Sequence, residues 1–267
     1  MKETYVAALY EGTFAVGIDK KFNKLSKDAA PPKGTLKLSL NPFLIHTKDR
    51  NFLIDCGIGE LREDSAQHLL KDNLLNYELT EHDITDILIS HLHYDHFGGL
   101  AHREHGFWEL TFPNAKVWVS KDGWQKLLKK QEGKNDEKAQ LIYFLDARAD
   151  LHFMEETDHP YAEITVQRTG GHSQFHQVIF FDNGELKLMM PGDVIGSRSH
   201  INRKFVAKYD YDPQTSLKKR EELTQLAYER GYTILAYHDD STPIFKITGY
   251  NEKSGYVTET VNPNVTS

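Results

Sequence analysis

Hydrophobic and polar residues alternate through TLKLSLNPFLIHT (35–47), and after the turn residues KDR a short apolar run, NFLID (51–55), follows. Period-two alternation predicts a half-buried strand and the continuous run a buried one. The glycines of DCGIG (55–59) end that run, and LREDSAQHLLKDNLL (61–75) returns to the spacing of a helix. Thr80, followed by EHD, predicts a short helix capped by threonine with an acid at the third position. ITDILIS (84–90) and AKVWVS (115–120) are apolar β runs; KDGWQKLLKK (121–130) and KNDEKAQLIYFLDAR (134–148) read as helices.

The second half is richer in strand signals. EITVQRT (163–169), QVIFF (177–181) and LKLMM (186–190) predict strands, with Asn183-Gly184 as the hairpin turn between the last two. The clearest helix spans 212–231, where Asp212 caps, Pro213 fits the first turn and Gly231 closes. YTILAYH (232–238) is a last core strand that delivers His238 at its end. With no internal repeat and no low-complexity linker, the expected organisation is one domain over 1–267, with two sheets and helices outside them.

Composition narrows the function classes. Of 267 residues, 39% are hydrophobic and 27% charged, the balance of a folded globular chain. A net charge of −7 repels polyphosphate, so nucleic acid is not an expected partner. No apolar run reaches the ~20 residues of a membrane span, and the opening MKETYVAALYEGTF has no secretory apolar core. Together with a single cysteine, Cys56, these features fit a cytoplasmic chain with no membrane partner. The lysine-rich stretch 19–37 reads as a solvated loop, or as a flap over a site.

Fourteen histidines are many for this length, and SHLHYDHFGG (90–99) concentrates them at a strand end. His91, His93, Asp95 and His96 stand at i, i+2, i+4 and i+5, a spacing that lets a turning backbone aim imidazole and carboxylate inward toward metal ions. Zinc suits these donors, as do iron and manganese. Gly98 and Gly99 permit a sharp turn beside them. Four residues do not complete two metal sites. His172, Asp193 and His238 each follow a predicted strand, so one sheet edge can present them together; His176 reads as a structural hydrogen-bonding histidine.

DCGIG (55–59), SHLHYDH (90–96), GGHSQFH (170–176), PGD (191–193) and YHD (237–239) resemble, in order, the motifs of the metallo-β-lactamase-fold hydrolases, and look most like the N-acyl-homoserine lactonase, or quorum-quenching, branch. The resemblance implies an α/β chain folded as a four-layer αβ/βα sandwich with two mixed sheets. It implies two divalent metal ions, zinc foremost, with His91, His93 and His172 on one, Asp95, His96 and His238 on the other, and Asp193 bridging. Asp55 would orient a ligand histidine, and Cys56 beside it would be a packed residue rather than a nucleophile. Asp95 and Asp193 would handle protons while a metal-bridging hydroxide attacks a lactone or ester carbonyl.

In the lactonases a tyrosine stands three residues after the bridging aspartate. Here that position is Gly196, leaving Ser197, His200 or another tyrosine to act on the carbonyl. Tyr94 and His200 are expected to wall a substrate pocket, with Phe97 and Phe205 as weaker candidates. The resemblance allows a homodimer acting on a small-molecule substrate. Readings that stay open are a glyoxalase II-like thioesterase or phosphotriesterase on the same fold, a nuclease or phosphodiesterase, and a non-catalytic metal-binding domain.

Overall fold

The computed structural model of the chain describes residues 4–61, 69–205 and 207–261. Its first large sheet has six strands in the order Tyr5–Ala8, Phe43–His46, Asn51–Ile54, Asp86–Leu88, Lys116–Ser120 and Asp150–Met154. The first two pairings are antiparallel and the next three parallel. The second sheet runs in chain order through seven strands: Thr157–Tyr161, Ile164–Arg168, Gln177–Asp182, Lys187–Met190, Thr233–Leu235, Ile244–Asn251 and Gly255–Thr260. Its one parallel pairing joins Lys187–Met190 to Thr233–Leu235. Both sheets are therefore mixed.

Period-two alternation sorts the side chains into layers. Phe43, Ile45, Phe52, Ile54 and Leu88 of the first sheet meet Ile164, Val166, Ile179, Phe181, Leu188 and Met190 of the second in one buried core. The residues between them face the other way. Leu44, Leu53, Ile87 and Val117 pack on Leu70, Leu74, Trp124, Leu141 and Leu145, which come from the helices Leu69–Leu75, Lys121–Lys129 and Glu137–Arg148. Val178, Phe180, Met189 and Ile234 pack on Leu223 and Ala227 of the helix Pro213–Arg230. Helix, sheet, sheet, helix is the αβ/βα sandwich, and all three apolar clusters follow from the alternation.

Helix ends sit where their caps dictate. Asp136 and Asp212 accept from the N–H groups of Ala139 and Thr215, and Gly231 closes the long helix at φ +69°. Thr80 donates through both N–H and Oγ1 to Asp83 Oδ2, fixing the short turn Glu81–Asp83. Only Leu69–Leu75 of the helix expected at 61–75 falls within the described residues from 69 onward; 62–68 lie outside them.

Other expectations need correction. Stretch 35–47 is two strands, not one: Leu36–Leu40 joins a three-stranded sheet with Gly12–Val16 and Phe22–Leu25, and Phe43–His46 joins the large sheet. Pro42 lacks an N–H for the ladder, and the Asn41 amide donates to the carbonyls of Tyr237 and Asp239 instead, tying the break to the end of another strand. The lysine-rich 19–37 is accordingly part sheet, through Phe22–Leu25. The last predicted strand ends at Leu235, so His238 leaves it on irregular backbone. No helix among the described residues is long and apolar enough to cross a membrane.

Candidate metal centre

Parallel strands point their carboxyl ends the same way, and loops that leave those ends converge. Asp55 follows the strand Asn51–Ile54, and Ser90 to His93 follow Asp86–Leu88 before the one-turn helix Tyr94–Phe97 lifts Asp95 and His96 toward the same point. From the second sheet, His172 follows Ile164–Arg168, Asp193 follows Lys187–Met190, and His238 follows Thr233–Leu235. Gly192 has φ +53°, and a Cβ there would lie 2.3 Å from His176 Nε2, so this position needs glycine both for its backbone and for space.

The seven residues form two groups joined by one carboxylate. His93 Nδ1 lies 3.0 Å from His91 Nε2 and 3.0 Å from His172 Nε2. Asp193 Oδ2 completes this group at 3.2 Å from His172 Nε2 and 3.9 Å from His91 Nε2. The other oxygen, Asp193 Oδ1, lies 3.3 Å from His96 Nε2 and 3.1 Å from His238 Nε2. Asp95 Oδ2 stands 3.6 Å from each of those two nitrogens. His238 Nε2 also lies 3.3 Å from Oδ2, so Asp193 stands between the two sets, with Oδ2 against His172 and Oδ1 against His96 and His238.

Hydrogen bonds on the far sides of the rings set their tautomers. His96 Nδ1 donates to Asp55 Oδ2 at 2.7 Å, His172 Nδ1 to Asp210 Oδ1 at 2.9 Å, and His238 Nδ1 to the Ser39 carbonyl at 2.9 Å. Ser90 Oγ gives its proton to Asp55 Oδ2 and so accepts from His91 Nδ1 at 3.1 Å. With each Nδ1 protonated, four Nε2 lone pairs face inward. Asp55 orients two of these rings and also accepts from Ser90 N–H, bonds that hold its backbone at φ +56°, a costly conformation for a side-chain-bearing residue.

Lone pairs and carboxylate oxygens crowded together repel unless a cation lies among them. His96 Nε2 and Asp193 Oδ1 are buried without a hydrogen-bond partner, the signature of ligating atoms rather than of a hydrogen-bonded core. Burial, then the neighbouring His96 and His93, lowers His91 well below the usual histidine range, which keeps it neutral and able to ligate. Burial opposes charge on His96 too, but Asp193, Asp95 and Asp55 outweigh it and raise its pKa: these carboxylates demand positive charge at this point. The donor set of imidazole nitrogens and carboxylate oxygens fits divalent metal.

Other expected residues fall into place around the cluster. His176 is fully buried; its Nε2 accepts the Asp193 N–H at 3.1 Å and its Nδ1 donates to Thr169 Oγ1 at 2.8 Å, so it positions Asp193 through the backbone. The Cys56 thiol is pushed well up by burial, then by Asp55, and donates to the His96 carbonyl at 3.3 Å. Phe97 is core. His200 lies across Gly196 from His238, its ring against Phe205 at 4.9 Å. Ser197 Oγ pairs with Ser199 Oγ at 2.8 Å.

Tyr94 lies against Phe97 and under Lys138 of the outer helix, its ring centroid 5.2 Å from that of Phe97 and 4.6 Å from the Lys138 ammonium. Sequence reasoning missed Asp210, which is 38 residues from His172 and follows no strand. It also missed Tyr237, whose ring stacks on His96 at 4.2 Å while its hydroxyl donates to the Asp95 carbonyl at 2.6 Å. Tyr237 adjoins a ligand candidate in YHDD, the one signal that pointed to it.

Comparison with known proteins agrees with this geometry. The family model described as the metallo-beta-lactamase superfamily matches residues 38–238. No curated protein matches the chain. Among solved structures, a probable metal-dependent hydrolase from Staphylococcus aureus is 24% identical with TM-score 0.77, covering 99% of this chain and 100% of its own. The hydrolase AbOPH of the beta lactamase superfamily is 22% identical with TM-score 0.76, covering 98% and 96%. AidC, a dizinc quorum-quenching lactonase, is 19% identical with TM-score 0.76, also covering 98% and 96%. At these identities the structures establish a shared fold, and the family match extends over most of the chain. With a sandwich of two mixed sheets whose strand ends gather imidazoles around one carboxylate, this chain belongs to the metallo-beta-lactamase superfamily.

Proposed function

We propose that the chain hydrolyses lactone or ester bonds at a pair of divalent metal ions, with N-acyl-homoserine lactones as the favoured substrate class. The observation that carries this reading is Asp193, whose carboxylate stands between two groups of ring nitrogens. His91, His93 and His172 would hold one ion, Asp95, His96 and His238 the other, with zinc the best match to the donors. When bound, such a pair lowers the pKa of a shared water and polarises a carbonyl oxygen.

The chain's own residues do the rest. Asp55, Ser90, Asp210 and the Ser39 carbonyl keep the ligand rings in one tautomer and one orientation. Asp95, whose Oδ2 faces the cluster, accepts the proton of the attacking water and returns it to the leaving alkoxide. Cys56 takes no part as a nucleophile, since its thiol is buried and donates to a carbonyl. The structural likeness to AidC, described as a dizinc quorum-quenching lactonase, supports the choice of lactone over other esters. The likeness to AbOPH keeps a second hydrolase reading in the test.

A panel of acyl-homoserine lactones, S-lactoylglutathione, aryl phosphotriesters and single-stranded RNA, each with and without chelator, tests the reading. The expected result is chelator-sensitive opening of the lactones with the highest kcat/KM. A thioester or phosphotriester turned over faster than any lactone would overturn the substrate assignment, and turnover that survives metal removal would overturn the mechanism.

A further inference from the structure

One phenol beside the cluster has no role in the chemistry above. The Tyr209 ring meets the His172 ring edge to face, centroids 6.2 Å apart at 74°. It is 59% exposed, whereas Tyr237 and Phe97 near the same cluster are fully buried. Tyr237 commits its hydroxyl to the Asp95 carbonyl. The hydroxyl of Tyr209 makes no hydrogen bond among the described residues.

The backbone under Tyr209 is fixed. Tyr211 N–H donates to the His172 carbonyl at 3.0 Å and Asp212 N–H to the Gly171 carbonyl at 2.9 Å, while Asp210 Oδ1 accepts from His172 Nδ1 at 2.9 Å. These three bonds join the segment after Tyr209 to the loop that carries His172, and Asp212 then caps the long helix. An exposed aromatic ring is thereby held beside a candidate ligand. A tyrosine phenol is protonated at neutral pH and so offers an O–H donor.

Gly196 has no side chain; a Cβ there would stand 3.4 Å from His238 Cδ2 and 3.8 Å from His200 Cε1. His200 Nδ1 is buried and without a partner, closed to a ligand as well as to water.

We propose that Tyr209 is a substrate-contacting residue that donates its phenolic hydrogen bond to the substrate oxygen on which negative charge develops. This rests on the lactone or ester hydrolase reading. Addition to the carbonyl moves an electron pair onto its oxygen, and a fixed neutral donor there strengthens as that charge grows. No proton leaves the phenol, so it needs no base and no reset between turnovers.

Tyr209→Phe keeps the ring on His172 and removes only the hydroxyl. In the metal-loaded protein kcat on the best lactone should fall about 100-fold, the usual effect of losing one such donor, with KM, metal content and Tm unchanged. Tyr211→Phe, equally exposed two residues on, should leave kcat at the wild-type value. A methyl alkylphosphonate, which mimics the tetrahedral state, should bind the Tyr209→Phe protein at least roughly 10-fold more weakly by calorimetry. Undiminished kcat and phosphonate affinity would overturn the proposal, as would a loss of activity accompanied by loss of metal. A wild-type protein that turns over no lactone or ester overturns the hydrolase reading instead, and the phosphonate titration then still decides whether the hydroxyl meets a tetrahedral oxyanion.

Discussion

At the scale of single residues, Asp210 shows how much of the candidate metal centre lies one bond behind the residues that face it. It is buried, and its Oδ1 lies 2.9 Å from His172 Nδ1. Without that carboxylate the His172 ring is free to rotate or to change tautomer, and its Nε2 no longer faces the cluster as a fixed lone pair. Asp210→Ala should therefore weaken metal affinity about 10–100-fold in competition with a chromogenic chelator, while the far-ultraviolet circular dichroism stays that of the wild type. Unchanged affinity would show that the bond orients nothing of consequence. His91, His93, Asp95 and His96 were legible because four donors stand within six positions at a strand end. Asp210 was not, because its partner is fixed by the packing of two loops and not by spacing along the chain.

At the scale of elements, the segment from Gly192 to Phe205 carries Asp193 and His200 and contains only short turns. Arg220 of the long helix holds it. The guanidinium is buried, donating from Nε to the Val194 carbonyl at 2.9 Å and from Nη1 to the Phe205 carbonyl at 3.0 Å, and it stacks 4.0 Å over the Phe205 ring. Arg220→Met keeps the apolar stem and loses both charged hydrogen bonds, so urea unfolding should report a loss of about 2–4 kcal/mol. A change below about 0.5 kcal/mol would mean that the segment holds its shape unaided. The strands that were legible are those with clean alternation or continuous apolar runs, such as Phe43–His46 and Gln177–Asp182. Thr157–Tyr161, with the sequence TDHPY, and the hairpin Ile244–Asn251 to Gly255–Thr260 were not, because they lie toward sheet edges where much of the surface is solvated and polar residues dilute the period.

At the scale of the whole molecule, the cluster exists only when both sheets are packed. The first sheet supplies His91, His93, Asp95 and His96; the second supplies His172, Asp193 and His238. The apolar core between the sheets, from Phe43 and Phe52 to Ile179 and Met190, therefore sets the distance across which Asp193 reaches. The order of motifs along the chain made the fold family legible, whereas the division of Asp193 between two sets of imidazoles is a three-dimensional fact. Because an ion ligated from both sheets binds the folded state and not the unfolded one, it also ties metal binding to stability.

Elemental analysis of purified wild-type protein beside Asp193→Ala, each reconstituted with zinc and desalted, tests the central claim most directly. Two ions per chain in the wild type, and one or none in the variant with a lowered Tm, is the predicted result. A wild-type chain that retains no metal, or a variant that retains both ions at full affinity, would contradict the account.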